Sequence, residues 1–257
     1  IDQAENAELV VLPELALTGL DAGAINPISQ HHAIFDTLRR VAEERQQYYV
    51  VGFAEQADGN LYNAAALVGS RGVMAVYRKI HLSEADREWA TPGERWVSCD
   101  LPLGRVGILI GHDADFPEAG RILALRGCDV IACPAALPGP FHCSHPGTRI
   151  HQSAPIPTGP DEHHWHHYRV RGGENNCYFA FANVHMPEAG LPGLSGIFGP
   201  DTFYFPRQEA LLTSATGCVG LTVDTSNLQS SYPNSAVRRK DLVAMRLPHH
   251  YPKWLER

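Results

Sequence analysis

Fourteen histidines, six cysteines and a few charged residues closing apolar runs are what this chain offers for chemistry at neutral pH. Imidazole titrates near neutrality and a thiolate is a strong nucleophile. The histidines are unevenly placed. His142, Cys143 and His145 share one stretch, His151 follows, and His163, His164, His166 and His167 surround Trp165. On a helix, His163 and His167 are four residues apart and would present both rings to one metal ion. No carboxylate-flanked zinc pattern accompanies them, and histidine-rich loops also simply line pockets, so no metal and no cofactor are expected. The cysteines at 99, 128, 133, 143, 177 and 218 lack paired spacing. They read as reduced, buried thiols of a cytoplasmic protein. Cys133 closes a strand, as a small buried hydrophobe or as a nucleophile; Cys177 reads as core.

Three other positions admit two readings. Glu14 follows an apolar run and a proline, as a polar cap or as a site acid. Lys79 is a surface lysine after a strand or part of a site. His112 either fills space or acts as an acid or base, whereas Asp113 beside it suits bonding the amides of a turn.

These residues need a scaffold, and the patterning supplies one. Leu9-Val10-Val11-Leu12 is a buried strand closed by Pro13. Ser29 to Gln47 carries Ala33, Ile34, Leu38, Val41 and Ala42 on one helical face. Tyr48 to Ala54 is a second strand. Ala64–Val68 and Val73–Tyr77 flank Gly69-Ser70-Arg71-Gly72 as a hairpin. Val106 to Ile110 is a strand ending at Gly111-His112-Asp113, and Pro117 opens a helix that stops at Gly127. Asp129–Cys133 is a strand, 137–161 a long excursion rich in Pro, Gly and His, His163–Asn175 a helix and Tyr178–Asn183 a strand. Further strands are predicted near Phe203–Phe205, Ala210–Thr213 and Val219–Val223, and a last helix over Val237–Ala244. Alternating strands and helices with no repeat or linker predict a single α/β domain over residues 1–257.

The net charge of −7 argues against a nucleic-acid or anionic-membrane surface, which needs a basic face. No apolar run reaches the ~18–20 residues of a membrane span.

Four segments, in order and spanning nearly the whole chain, resemble the nitrilase superfamily of carbon–nitrogen hydrolases. They are Leu12-Pro13-Glu14-Leu15, then Tyr77-Arg78-Lys79-Ile80-His81-Leu82, then Gly107 to Glu118. The last is Arg171-Gly172-Gly173-Glu174-Asn175-Asn176, with Phe181-Ala182-Asn183 and Gly196-Ile197-Phe198-Gly199-Pro200-Asp201 after it. The resemblance implies a four-layer α-β-β-α sandwich, here lacking its first strand and the start of its first helix upstream of Ile1. It implies a homodimer or higher homo-oligomer with sheets continuing across the pair. It assigns Glu14 as general base, Lys79 as catalytic lysine and position 111 as the cysteine nucleophile.

Such a family needs a thiolate to attack carbon, a base for the thiol proton and for water, and a cation for the developing charge. Glycine has no side chain, so Gly111 cannot attack. A triad without its nucleophile keeps only about 10³–10⁴ of rate over water. His112 stands where the family has an aromatic. Where a second glutamate helps position substrate, Asp86 and Glu88 are the candidates. Asp113 and Ala135 complete the expected substrate-binding set. The expectation is a small-molecule ligand with an amide, nitrile or carboxylate group, bound without thiol hydrolysis, with non-thiol chemistry by Glu14 or His112 left open. The alternative is a catalytically dead regulatory or structural subunit pairing with an active homologue.

Overall fold

The computed structural model describes residues 2–20, 25–140, 143–146, 160–201, 207–213, 216–225 and 245–250. Strand β1 (Leu9–Val11) is followed by helix α1 (Ala33–Arg45), then by β2 (Tyr48–Ala57), β3 (Asn60–Gly69) and β4 (Gly72–Arg78). These four strands form one sheet in the order β1-β2-β3-β4. The first pair is parallel and the other two are antiparallel. The α1 helix starts later than its apolar spacing suggests, because His32 caps it by accepting the Ile34 amide on Nδ1 at 3.2 Å. It ends at Gln46, whose left-handed backbone stops the winding.

Alternation along these strands sorts their side chains. Tyr49, Val51 and Phe53 of β2, with Ala64, Ala66 and Val68 of β3, pack under Phe35, Leu38 and Ala42 of α1. Val50, Ala65, Leu67 and Tyr77 turn to the other face. The period of two is what lets one sheet serve two cores.

The second sheet holds β5 (Val97–Leu101), β6 (Gly104–Ile108), β7 (Val130–Ala135), β10 (Tyr178–Asn183), β13 (Gly196–Phe198) and β14 (Glu209–Leu211), ordered β14-β13-β10-β7-β6-β5. The central pairs β6–β7 and β7–β10 are parallel. Helices α2 (Pro117–Leu125) and α3 (His163–Asn175) make the crossovers. Val106, Ile108, Val130, Ala132 and Tyr178 pack against the inner face of the first sheet. Leu109, Ile131, Cys133, Phe179 and Phe181 pack outward against Leu123, Trp165 and Tyr168 of the helices. Each buried Val, Ile, Leu or Phe among them contributes about 1.5–3 kcal/mol. The layers therefore run α1, sheet, sheet, α2 with α3, the four-layer α-β-β-α sandwich that the resemblance implies. Two small antiparallel ribbons, β8 (Cys143–Pro146) with β9 (Pro160–Glu162) and β11 (His185–Met186) with β12 (Leu191–Pro192), complete the described strands.

Three local expectations need revision. The β2 strand runs three residues further and returns through a two-residue turn, Asp58-Gly59, with Ala57 paired to Asn60. Both turn residues have positive φ, which Asp-Gly accommodates. Strand β5 was not anticipated, because Val97-Ser98-Cys99-Asp100-Leu101 alternates only weakly. Residues 219–223 form no strand; Val223 is instead a half-buried plug against the core between the sheets. The stretches 203–205 and 237–244 lie outside the described residues. Among the described residues no helix is long and apolar enough to cross a membrane.

Helix α3 is anchored at its start by two donors on one carbonyl. His164 Nε2 lies 3.1 Å and Trp165 Nε1 2.9 Å from Leu194 O. Burial pulls the His164 pKa down to about 4, so the folded state holds a neutral ring. The folded value lies below the ordinary 6.5. The stabilisation is therefore complete above pH 6.5 and is lost as pH falls toward 4. Unfolding free energies from urea titration at pH 7 and pH 5 should differ by about 1–2 kcal/mol more in the parent than in His164→Phe, which cannot take up the proton.

Candidate active site

At the carboxyl ends of β1 and β7 the chain makes a sharp elbow that carries Glu14. Leu12 N donates to Val50 O at 2.8 Å, Leu17 N to Gly52 O at 3.1 Å, and Glu14 N to Ala135 O at 3.4 Å. The elbow thus spans both sheets. It comes so close to β2 that a Cβ on Gly52 would lie 2.6 Å from Pro13 O and 2.7 Å from the Glu14 Cα. Leu15 accepts a positive φ of 54° to complete the bend.

Lys79 follows directly on β4, its amide donating to Asn63 O at 2.8 Å. On the inner face it joins a polar cluster sealed from solvent, with Glu14 4%, Lys79 3% and Asp86 6% exposed. Lys79 Nζ donates to Glu14 Oε1 at 2.7 Å and to Asp86 Oδ2 at 2.6 Å. Asn63 Nδ2 bridges the same two carboxylates, 2.6 Å from Glu14 Oε1 and 2.7 Å from Asp86 Oδ1. Asp86 is held further by the amide and hydroxyl of Ser83. Glu14 Oε2 accepts the Ala136 amide at 2.8 Å.

Burial alone would lower the Lys79 pKa, but the two carboxylates outweigh it and hold the ammonium charged. Burial likewise works against ionised Asp86, and Lys79 reverses it, leaving that carboxyl below its ordinary range.

Gly111 opens the 3-10 turn Gly111–Asp115 after β6, with φ +44°. A Cβ built on it would lie 2.7 Å from Glu14 Oε2 and 3.5 Å from Lys79 Nζ. The backbone at 111 thus faces a carboxylate oxygen and an ammonium. Two of the ammonium's three donors serve Glu14 and Asp86, which leaves a third for a ligand. The turn is fixed from below by Asp113, fully buried. It accepts from Tyr77 Oη at 2.8 Å, from the Ile110 amide at 3.1 Å and from the His81 amide at 2.8 Å. Burial, reinforced by the Asp113 charge, pushes the Tyr77 pKa far up and keeps it a phenol donor.

The structure brings Glu14, Lys79, Asp86 and Gly111 together. Asp113 stands one layer beneath, bound to the turn. Ala135 is buried, and its carbonyl is used by Glu14 and Val184 amides. Glu88 is exposed at the end of the turn that carries Asp86, so of the two candidates Asp86 reaches the cluster. His112 is turned to Asp115, 2.6 Å from its carboxylate, with its ring edge-on to Phe116. It forms no hydrogen bond with Glu14 or Lys79. His167 lies 2.9 Å from Ala114 O. It ties α3 to the turn, and the side chain of His163 lies outside the described residues, as do His142 and His151. Cys133 is fully buried; burial pushes its thiol pKa well up, and the charges of Asp113 and Glu14 add to this. A protonated, enclosed thiol is not a nucleophile.

Sequence reasoning missed Asn63. The signal was present: a lone amide entering the apolar run Ala64-Ala65-Ala66-Leu67-Val68 must find partners when buried.

The carbon–nitrogen hydrolase family model matches residues 1–213. An omega-amidase of Homo sapiens is 36% identical over 227 residues, covering 82% of this chain and 74% of that protein. A nitrilase of Pyrococcus abyssi is 41% identical over 144 residues, covering 53% of this chain and 55% of that protein. The chain therefore spans about half the length of the nitrilase it matches. Among solved structures, a mutant amidase from Nesterenkonia sp. AN1 carries the acetamide moiety of fluoroacetamide on its active-site cysteine. It superposes with a TM-score of 0.72 at 20% identity, over 98% of this chain and 88% of that one. The chain belongs to the carbon–nitrogen hydrolase family, and its fold is the nitrilase type.

Lys79→Met would leave Glu14 and Asp86 as buried like charges around Asn63. We expect a loss of about 3–5 kcal/mol in urea unfolding at pH 7. Adding Asp86→Asn should recover part of it.

Proposed function

We propose that this chain binds a small molecule bearing an amide, nitrile or carboxylate group between Glu14, Lys79, Asp86 and Gly111, and that it does so without thiol hydrolysis. The observation that carries the reading is the place of Gly111. Its backbone faces Glu14 Oε2 and Lys79 Nζ, the two groups that the family resemblance pairs with a cysteine, and it has no atom to attack with. The remaining groups are those of recognition: an ammonium with a donor to spare, a carboxylate oxygen beside it, and a dry enclosure that strengthens both. The family model and the omega-amidase relative support the ligand class.

Cys133 does not replace the missing thiol in this reading, because it is enclosed among Leu109, Trp165 and Tyr168 and held protonated. His112 is engaged with Asp115.

Fluoroacetamide tests the proposal, read by peptide-mapped mass spectrometry. The parent protein should gain no acetamide adduct on Cys133 within the fold; among the described cysteines any addition should map to Cys99 or to the exposed Cys218. Gly111→Cys serves as the access control and should be alkylated at 111. An adduct on Cys133, or ammonia release from small amides that stops on thiol alkylation, would overturn the reading. So would the absence of any binding of propionamide or propionate to the parent by calorimetry.

A further inference from the structure

His81 stands apart from the ion cluster, although Lys79 is close before it in the chain. Its ring stacks on Phe116 with centroids 3.9 Å apart and is tilted against Trp96 at 5.9 Å. Its Nδ1 lies 2.9 Å from Asp113 Oδ1. The backbone amide of the same residue already donates to that oxygen at 2.8 Å. The side-chain contact therefore orients the ring more than it attaches the loop.

Asp113 settles which way the Nδ1 bond runs. Its carboxylate is fully buried and accepts the Tyr77 hydroxyl and the amides of Ile110 and His81. An acceptor so engaged takes the imidazole hydrogen and has none to give. Neutral His81 thus carries its hydrogen on Nδ1 and its lone pair on Nε2. Nothing among the described residues bonds Nε2. The side chain is 28% exposed. With Nδ1 against a buried carboxylate and one face on Phe116, that opening belongs to the Nε2 edge.

Such a lone pair can serve a metal, a phosphoryl group or an acyl group. A metal needs further ligands, and no group of three metal-ligating side chains occurs among the described residues. A phosphoryl donor is anionic and would meet the Asp113 charge behind the ring, while Lys79 is committed to Glu14 and Asp86. A neutral acyl donor meets no such repulsion. The flat rings of Phe116 and Trp96 suit one with an aromatic leaving group. Two other histidines each lack a part. His112 pairs with Asp115 at 2.6 Å, but that carboxylate is exposed, where water weakens its pull. His32 accepts the Ile34 amide on Nδ1, so its neutral ring has a hydrogen on Nε2 and no lone pair there.

We infer that His81 Nε2 is a second reactive centre, separate from Glu14 and Lys79: a nucleophile that takes the acyl group of neutral activated esters and passes it to water. Nε2 attacks the ester carbonyl carbon. A carbon–nitrogen bond forms, the bond to the phenolic oxygen breaks, and phenolate leaves. The acyl-imidazolium keeps its Nδ1 hydrogen, and the Asp113 carboxylate offsets its charge. Water then attacks the acyl carbon and the carbon–nitrogen bond breaks. The carboxylic acid and neutral imidazole result, with one proton released to solvent.

Two measurements on the whole chain at pH 7 test this. In the first, diethyl pyrocarbonate is added below stoichiometry and the ethoxycarbonyl group is located by peptide-mapped mass spectrometry. His81 should react about fivefold or more faster than His112 and His32, although it is the least exposed of the three. In the second, accessible thiols are blocked with iodoacetamide and hydrolysis of para-nitrophenyl acetate is followed. The rate should fall about tenfold or more in His81→Asn and stay unchanged in His31→Asn. His112 or His32 reacting before His81 would overturn the inference, as would hydrolysis that His81→Asn leaves intact. If that variant does not fold, the order of modification in the parent decides. Neither result bears on ligand binding at Glu14 and Lys79.

Discussion

A single buried ammonium organises this molecule's centre. Lys79 is almost without solvent, and its charge is tolerable only because Glu14 and Asp86 stand within 2.7 Å. Those two carboxylates come from different places: one from the elbow after β1, the other from the short turn after β4. The ion triad therefore fixes the relative position of two loops that share no strand. Removing the ammonium would leave the two carboxylates as unpaired like charges in a dry enclosure. Asn63 adds the neutral cross-brace, and the backbone of Gly111 forms the opposite wall.

The sandwich serves this arrangement. Each sheet has one face on a helix layer and one on the other sheet, so the strand ends are held on both sides. Glu14 leaves one sheet and binds the main chain of the other through Ala135 and Ala136. The Gly111–Asp115 turn is secured from two directions. Asp113 binds Tyr77 of the first sheet and the His81 amide, while Arg171 and His167 of α3 grip the Ala114 carbonyl. Carboxylate, ammonium and turn are thus placed by main-chain and buried contacts, with little left to surface loops.

Much of this was legible in the amino-acid order. Helix α3 and strand β10 coincide with their predicted spans, because α3 ends at a left-handed asparagine and β10 is an apolar run between polar residues. Glu14 and Lys79 stood out through ordered motifs rather than through their own surroundings. What escaped was decided by three-dimensional pairing. Strand β5 earns its place from β6 and not from its own pattern. Val219–Val223 reads as a strand but finds no partner among the described residues. Spacing leaves His112 open between filling space and acting as an acid or base, and in the fold it meets Asp115; His167, a weak metal-ligand candidate by spacing, meets Ala114 O. A histidine's role is set by what sits opposite its nitrogens, which spacing along a chain does not record.

The contact between Gly52 and the Glu14 elbow has a mutational reach. Backbone rests on backbone there, so the main chain that carries Glu14 is seated on β2 with no side chain between them. The opposite face of β2, where Tyr49, Val51 and Phe53 meet α1, also takes Leu12 and Leu17 from the two ends of the elbow. A change of volume in that outer core therefore reaches the ends of the elbow, while its middle rests on the strand. A single hydrogen atom in place of a side chain sets how near the acid's loop lies to that strand.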